Sequence, residues 1–324
     1  MENQLKTKEK NRKIMDNLED IKNEYELDEN QNLEKAQLIF DIYTHEKQPS
    51  DRPFAVIVFG QPGAGKSGLM GYSSTQFPSA VALDIDDLRT YHPKAEEVKQ
   101  KHPQIYEAVT GKFATDMMHI LTPVLIDKKY NLVLHKTRGD DLVINDTIIP
   151  LQNEGYDVVL RVMAVHELES KLSALKRSLD QRDRFGVCRW VEIPYHNRQY
   201  NGVVDISQRI EDEKIADAVE VYVRGEEMFK PGLVYSKLLT DKIRTNPNMY
   251  TADGREAIAD YNTEQHASVR KAINIAREEA VPSLLAGYEK REKELQSRFN
   301  PAGREHEFMD EIKDLVNNLQ KTKI

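Results

Sequence analysis

Sulfur chemistry is nearly closed to this sequence. Cys188 is the only cysteine among 324 residues, so no disulfide can form within the chain, and neither a paired-cysteine redox motif nor a cysteine zinc cluster can be built. That usage fits a reducing compartment. Long apolar runs are missing as well: nowhere does the chain approach the ~18 consecutive apolar residues of a membrane helix, and residues 1–25 mix acids and bases with no signal-peptide core. The expectation is a protein kept in the cytoplasm with no membrane contact; delivery into another cell by a signal-independent route stays open. A positive excess is also lacking. With a formal net charge of -8, the molecule as a whole offers nothing to a nucleic-acid backbone, and a small anionic substrate needs local cations.

What is present is enough for a large core. Hydrophobic residues make up 39% of the chain and charged residues 31%, the balance of a folded protein with a highly charged surface. Residues 1–50 carry apolar positions at helical spacing (Ile14, Leu18, Ile21, then Leu33, Ala36, Ile39, Ile42) and end in the polar turn Gln48-Pro49-Ser50, which predicts two helices. The pattern then changes to Phe54-Ala55-Val56-Ile57-Val58-Phe59, a short continuous apolar run of the kind found in strands buried on both faces. Comparable runs recur at residues 80–83, 131–134, 158–165 and 219–223, separated by helical stretches. Alternating β and α units of this kind predict an α/β fold with a doubly wound, mostly parallel sheet. From about Arg255 the chain reads as helix again, broken at Asn300-Pro301-Ala302-Gly303. The organisation expected is N-terminal helices over 1–50, a catalytic core over 51–245 and a C-terminal helical region over 246–324.

The sharpest signal is Gly60-Gln61-Pro62-Gly63-Ala64-Gly65-Lys66-Ser67, followed by Gly68. It has the form G-x-x-x-x-G-K-[ST], and it sits where that motif belongs, after a buried strand and before a helix. Glycines let successive backbone N–H groups turn inward around phosphate oxygens, Lys66 brings a point charge to the β and γ phosphates, and Ser67 can ligate Mg²⁺. The following helix adds its positive N-terminal end. ATP and Mg²⁺ are therefore the expected cofactors. The loop alone leaves open whether phosphate goes to water, drives a motor cycle or passes to a substrate.

Carboxylates at the end of the second strand favour the substrate. Ala82-Leu83-Asp84-Ile85-Asp86-Asp87-Leu88 puts three aspartates at the carboxyl edge of the expected sheet, where open α/β sheets bind ligands. Asp86 is the candidate base for an acceptor hydroxyl and Asp84 a candidate for the Mg²⁺ shell, whereas Asp87 is expected to cap a helix starting near Leu88. Arg177 and Arg189 flank a polar segment that also holds Arg182 and Arg184. Such arginines can neutralise charge on a transferring phosphoryl group, although composition alone favours a solvated face.

Together these residues resemble the zeta toxin family, the kinase halves of bacterial toxin–antitoxin systems. The marks are the loop at 60–67, Leu83-Asp84-Ile85-Asp86 with His92-Pro93, Tyr130-Asn131-Leu132-Val133, Gln152-Asn153-Glu154-Gly155-Tyr156, Met163-Ala164-Val165, and Tyr222 with Arg224-Gly225. The resemblance implies a P-loop kinase fold and transfer of the ATP γ-phosphate to a sugar hydroxyl of UDP-N-acetylglucosamine or a related UDP-sugar. It further implies toxicity and a small helical antitoxin acting in trans. It assigns phosphate and Mg²⁺ roles to Lys66 and Ser67, the base to Asp86, and ATP contacts to Arg177 and Arg189.

The departures lie in the acceptor site. Where the family has a Glu-Gly-Thr-Gly-Arg stretch, this chain reads His135-Lys136-Thr137-Arg138-Gly139, and a second acidic substrate position aligns with His119. Asp86, His119, His135, Thr137 and Arg138 are thus the candidate acceptor residues. Imidazoles with added Lys136 and Arg138 donate to anions where carboxylates would accept from hydroxyls. Another nucleotide, such as NAD, stays open as the acceptor, and so does a nucleotide-dependent binding protein with little catalysis.

Overall fold

The computed structural model describes residues 18–136, 141–185, 190–225, 231–249, 266–301 and 303–322. In chain order the elements are α1 (Leu18–Tyr25), α2 (Glu29–Thr44), β1 (Phe54–Phe59), α3 (Lys66–Gln76), β2 (Val81–Leu83), α4 (Ile85–Leu88), α5 (Ala95–Lys101), α6 (Tyr106–Asp127) and β3 (Leu132–Lys136). They continue with α7 (Ile149–Asn153), β4 (Asp157–Met163), α8 (Glu167–Phe185), α9 (Ile193–Asp212), β5 (Ala218–Val223), β6 (Gly232–Leu238), α10 (Lys242–Thr245), α11 (Val269–Gln296) and α12 (Glu305–Lys321). The described parts of Met1–His45, Leu83–Leu125 and Gln181–Cys188 form one compact unit, and those of Glu46–Ala82, Ile126–Asp180 and Arg189–Ile324 a second, larger one.

The six strands make one sheet in the order β2-β3-β1-β4-β5-β6. β1 pairs in parallel with β3 and β4, β4 in parallel with β5, and β6 closes the edge antiparallel to β5. The five expected strands are all present, and the run expected over 158–165 ends at Met163. β6 is an addition that the sequence reading lacks. Its residues Gly-Leu-Val-Tyr-Ser-Lys-Leu mix buried and exposed positions, as an antiparallel edge strand does, and offer no continuous apolar run. β1 and β4 are buried along their whole length, so helices must cover both faces, and the mostly parallel α/β architecture follows.

One charged pair inside that core holds the site helix. Arg161 of β4 stands opposite Glu220 of β5 in the strand register, 2.8 Å away, with both side chains almost fully buried. Arg161 also donates to Ser73 Oγ of α3 at 2.8 Å and lies 5.1 Å from the Phe77 ring centroid. Tyr222 donates to the same Glu220 carboxylate at 3.0 Å. Both charges are therefore bonded more than once, the condition under which a buried ion pair can be tolerated. Leu69 and Met70 of α3 add apolar contacts to the sheet through Val56, Val58 and Val159.

The C-terminal helices belong to the larger unit's core. Leu168, Leu172, Leu175 and Leu179 of α8 pack with Tyr288 and Leu295 of α11 and with Phe308, Met309, Ile312 and Val316 of α12. Spacings of four, three and four residues place the α8 leucines on one stripe. In the smaller unit α1 and α2 confirm the two expected helices, although Ile14 lies outside the described residues. Asp28 and Gln31 form a reciprocal capping box at the start of α2, and Tyr25 packs with Val98, Ile105 and Val109. Among the described residues no helix is long and apolar enough to cross a membrane.

Candidate active site

The loop at residues 60–67 leaves β1 and turns into α3 through two glycines with left-handed backbone, Gly63 at φ 75 and Gly65 at φ 94. Gly63 has a second reason to be glycine: a Cβ there would lie 2.1 Å from the carbonyl oxygen of Ser170 on α8. That serine is itself anchored, because its hydroxyl lies 2.9 Å from Nε2 of the buried His196 on α9. Gln61 is buried and donates to the Val165 carbonyl at 2.8 Å, tying the loop's first half to the segment that follows β4. Gly65 and Ser67 are exposed, whereas Ala64 and Lys66 are buried. The open side of the loop is thus lined by the start of a helix whose N–H groups have no intrahelical acceptor.

Lys66 is the electrostatic centre. Its ammonium donates to the Gln61 carbonyl at 2.8 Å within the loop. Burial, reinforced by the charge of Arg177 on α8, pushes its pKa down to about 7. A lysine held this way is poorly solvated and short of an anion, which the oxygens of a triphosphate would supply. Arg177 is itself exposed, and its field reaches Lys66, so the structure brings these two predicted phosphate-binding residues together. Arg182 and Arg184 continue along α8, which carries the expected polar segment as helix up to Phe185. Arg189 lies outside the described residues.

A residue that sequence reasoning did not assign completes the loop's support. Arg224, just past β5, donates from Nε to the Ala64 carbonyl at 3.2 Å and from Nη2 to the Gly63 carbonyl. It also donates to Ser173 Oγ at 2.9 Å and pairs with Glu169, both on α8. The Arg224-Gly225 dipeptide was visible in the sequence, but the loop it grips is 160 residues away, and nothing local in the sequence signals that contact.

The end of β3 belongs to the same unit. His135 and Lys136 are half-buried at its last two positions, and Lys136 stands opposite Phe59, the residue before Gly60. Burial pushes the Lys136 ammonium below the ordinary lysine value, with Asp146 acting in the opposite direction. Thr137 and Arg138 lie outside the described residues.

The aspartates sit in the smaller unit. Asp84, not Asp87, is the cap: its side chain accepts from the Asp86 amide at 2.9 Å, and the helix starts at Ile85, three residues earlier than expected. The early start hands the capping geometry to the residue that leaves β2 in extended conformation. Asp87 instead accepts from the Tyr43 hydroxyl of α2. Burial pushes the Asp84 carboxyl up, against the amide bond from Asp86. Asp86 is exposed and pairs with Arg89 at 3.3 Å, and Arg89 is fixed by the Glu107 carbonyl at 2.7 Å. His119 is exposed on α6.

Among the described residues no cluster of three or more metal-ligating side chains exists. Mg²⁺ does not require one, since it keeps several waters and binds through one or two protein oxygens together with substrate phosphates. The exposed Ser67 hydroxyl in the first turn of α3 fits that mode.

Comparison with known proteins places this geometry. The zeta toxin family profile matches residues 39–230. Toxin PezT of Streptococcus pneumoniae serotype 4 (strain ATCC BAA-334 / TIGR4) is 28% identical over 186 residues, 56% of this chain and 72% of PezT. Toxin zeta of Enterococcus hirae is 31% identical over 137 residues, 40% of this chain, and the chain spans 46% of that relative's length. A solved chain from the study of the PezAT chromosomal toxin–antitoxin system of Streptococcus pneumoniae superposes with a TM-score of 0.62 at 23% identity, covering 83% of this chain and 98% of that one. At such identity the likeness establishes the fold, which is the one expected from the strand pattern. Since the profile covers more than half of the sequence, with the intact phosphate-binding loop inside its span, the chain belongs to the zeta toxin family, and membership implies ATP-dependent kinase activity.

Proposed function

We propose that the protein transfers the γ-phosphate of ATP to a hydroxyl of a nucleotide-linked small molecule and acts as a toxin restrained by a small antitoxin. The observation that carries this reading is the buried Lys66, held at about pKa 7 inside a glycine-turned loop. Loop N–H groups, Lys66 and Arg177 bind the phosphate oxygens and take up the charge that spreads over them during transfer. Ser67 and Asp84 would hold Mg²⁺, which would supply further neutralisation of the phosphate charge. Asp86 is the base in this proposal: the acceptor oxygen bonds to the γ phosphorus, the bond to ADP breaks, and the hydroxyl proton passes to the carboxylate. Arg89 beside it keeps that carboxylate oriented. The PezAT study concerns a toxin–antitoxin system, and a partner of that kind is proposed here.

UDP-N-acetylglucosamine or a related UDP-sugar is the default acceptor. A second reading, an acceptor with more phosphate such as NAD, is favoured by one observation: the half-buried Lys136 ends β3 in register with Phe59, the last residue before the loop. In that reading His119, His135 and Arg138 bind the same anion. The test is incubation with ATP, Mg²⁺ and a panel of nucleotide sugars and dinucleotides, read by mass spectrometry. A phosphorylated UDP-sugar supports the default acceptor. A phosphorylated dinucleotide whose formation is weakened by His119→Glu and His135→Glu supports the second. Efficient UDP-sugar phosphorylation, equal in both variants, refutes any substrate role for the two histidines. ATP consumed with no phosphorylated product from any member, while ATP still binds, favours a nucleotide-dependent binding protein.

A further inference from the structure

Among the described residues Arg224 makes four hydrogen bonds, all to the loop or to α8. Two are loop carbonyls, Gly63 and Ala64, and two are side chains, Ser173 and Glu169. Glu169 is shared. It also accepts from Ser173 Oγ at 2.9 Å and from Arg291 of α11, which donates to both carboxylate oxygens, from Nη2 to Oε1 at 3.2 Å and from Nη1 to Oε2. Glu169 is 15% exposed at its side chain. Burial would push its pKa up, but Arg291 and Arg224 outweigh that effect and hold its carboxyl below the usual range. The result is a chain of charges running from α11, through α8, to the outer wall of the loop.

Peptide geometry gives that chain a consequence for the loop. All peptide bonds among the described residues are trans, so the C=O and N–H of one peptide unit point in opposite directions. Holding the Ala64 carbonyl outward on Arg224 therefore turns the Gly65 N–H away from the arginine. Gly65 is exposed, and a Cβ on it would lie 3.1 Å from Arg224 Nε, so the guanidinium sits directly against this residue. Glycine at φ 94 is free to rotate its flanking peptides. An outside grip removes that freedom and leaves the anion nest preorganised before any phosphate arrives. The planar fork of arginine suits the task, since it reaches two adjacent carbonyls at once, which a lysine ammonium on a flexible stem does less well.

We propose that Arg224 is a positioning residue for the phosphate-binding loop and that Arg291 acts on it through Glu169, which makes the C-terminal helix α11 part of the nucleotide site. The proposal rests on the kinase reading for its ligand but concerns residues that reading does not use. Arg224 holds no substrate atom; it orients the groups that do. Arg291 keeps Glu169 ionised and in place, and Glu169 keeps the Arg224 fork aligned on the two carbonyls.

Titration calorimetry on the full chain tests this with three probes: MgATP, inorganic tripolyphosphate and adenosine. Arg224→Met is expected to weaken both phosphate-bearing probes by about tenfold or more, the loss typical of charged hydrogen bonds, and to leave adenosine unchanged. Arg224→Lys should recover part of the affinity, and it is the variant that decides if Arg224→Met fails to fold. Arg291→Met should weaken MgATP about threefold alone, yet add nothing in a Glu169→Gln background, because its route to the loop is then already cut. The proposal is overturned if tripolyphosphate binding stays within twofold of wild type in both Arg224 variants. It is equally overturned if adenosine weakens in step with MgATP, or if Arg291→Met keeps its full effect without Glu169. A wild-type protein that binds tripolyphosphate but not MgATP would sink the kinase reading and leave the loop proposal standing on the tripolyphosphate results.

Discussion

Lys66 provides a prediction whose size follows from the structure. Its pKa of about 7 in the ATP-free protein means that roughly half of the lysine is neutral at pH 7 and about nine-tenths at pH 8. Triphosphate oxygens beside Nζ favour the charged form, so binding draws the pKa back toward the ordinary lysine value and takes up a proton. Uptake should be roughly 0.5 proton at pH 7, about 0.9 at pH 8 and close to zero at pH 5.5. By the same linkage the Kd for ATP should rise about fivefold from pH 7 to 8 and close to tenfold per unit above that. Stability follows the matching sign. The unfolded chain keeps Lys66 charged to about pH 10.4 while the folded, ATP-free chain releases the proton near 7, so stability without ATP rises with pH between those values. The assay is MgATP titration calorimetry at fixed pH in buffers of different ionisation heat, whose slope counts protons. Lys66→Arg, charged throughout, should bind with no uptake. Uptake below about 0.2 proton at pH 8 in the wild type, or undiminished uptake in Lys66→Arg, would refute a neutral buried Lys66.

Three further outcomes follow. Asp86→Asn keeps the side chain's shape and should leave the Kd for ATP unchanged while cutting transfer by ~10²–10⁴-fold; unchanged turnover at saturating acceptor would remove Asp86 as the base. Glu220→Gln strands the buried Arg161 charge and should cost about 3–5 kcal/mol in urea unfolding, whereas Arg161→Met combined with Glu220→Leu should come much closer to wild type; equal losses would show that packing, not charge, dominates there. Gly63→Ala forces a methyl group against the Ser170 carbonyl at a positive φ and should abolish ATP binding with the rest of the chain still folded by circular dichroism; normal binding would mean that the loop and α8 can separate.

How much of this was legible in the sequence depends on how local each signal is. β1 announced itself because six consecutive apolar residues leave few alternatives to a strand buried on both faces, and the phosphate-binding loop because its glycines and lysine are contiguous. β6 did not, since an antiparallel edge strand with Ser236 and Lys237 among its residues has no continuous apolar run. The Arg161–Glu220 pair was invisible for a different reason. Each charge interrupts an apolar run, and only the register that sets them opposite one another explains both. The capping error at Asp87 came from placing a helix start three residues late, an ordinary uncertainty where several aspartates follow one another. Arg224 could be seen as a residue but not as a contact. Its role depends on the chain closing a loop of about 160 residues, which no local pattern encodes.

The most direct test of the central claim is to follow the γ-phosphate itself. With ATP labelled at the γ position, Mg²⁺ and a small-molecule extract, the wild-type protein should move label into an organic product that resists separation from its nucleotide carrier. Lys66→Ala should move none, and Asp86→Asn should move far less while still binding ATP. Label appearing only as inorganic phosphate, or a labelled product that forms equally well with Lys66→Ala, would contradict a phosphoryl-transfer role for this loop.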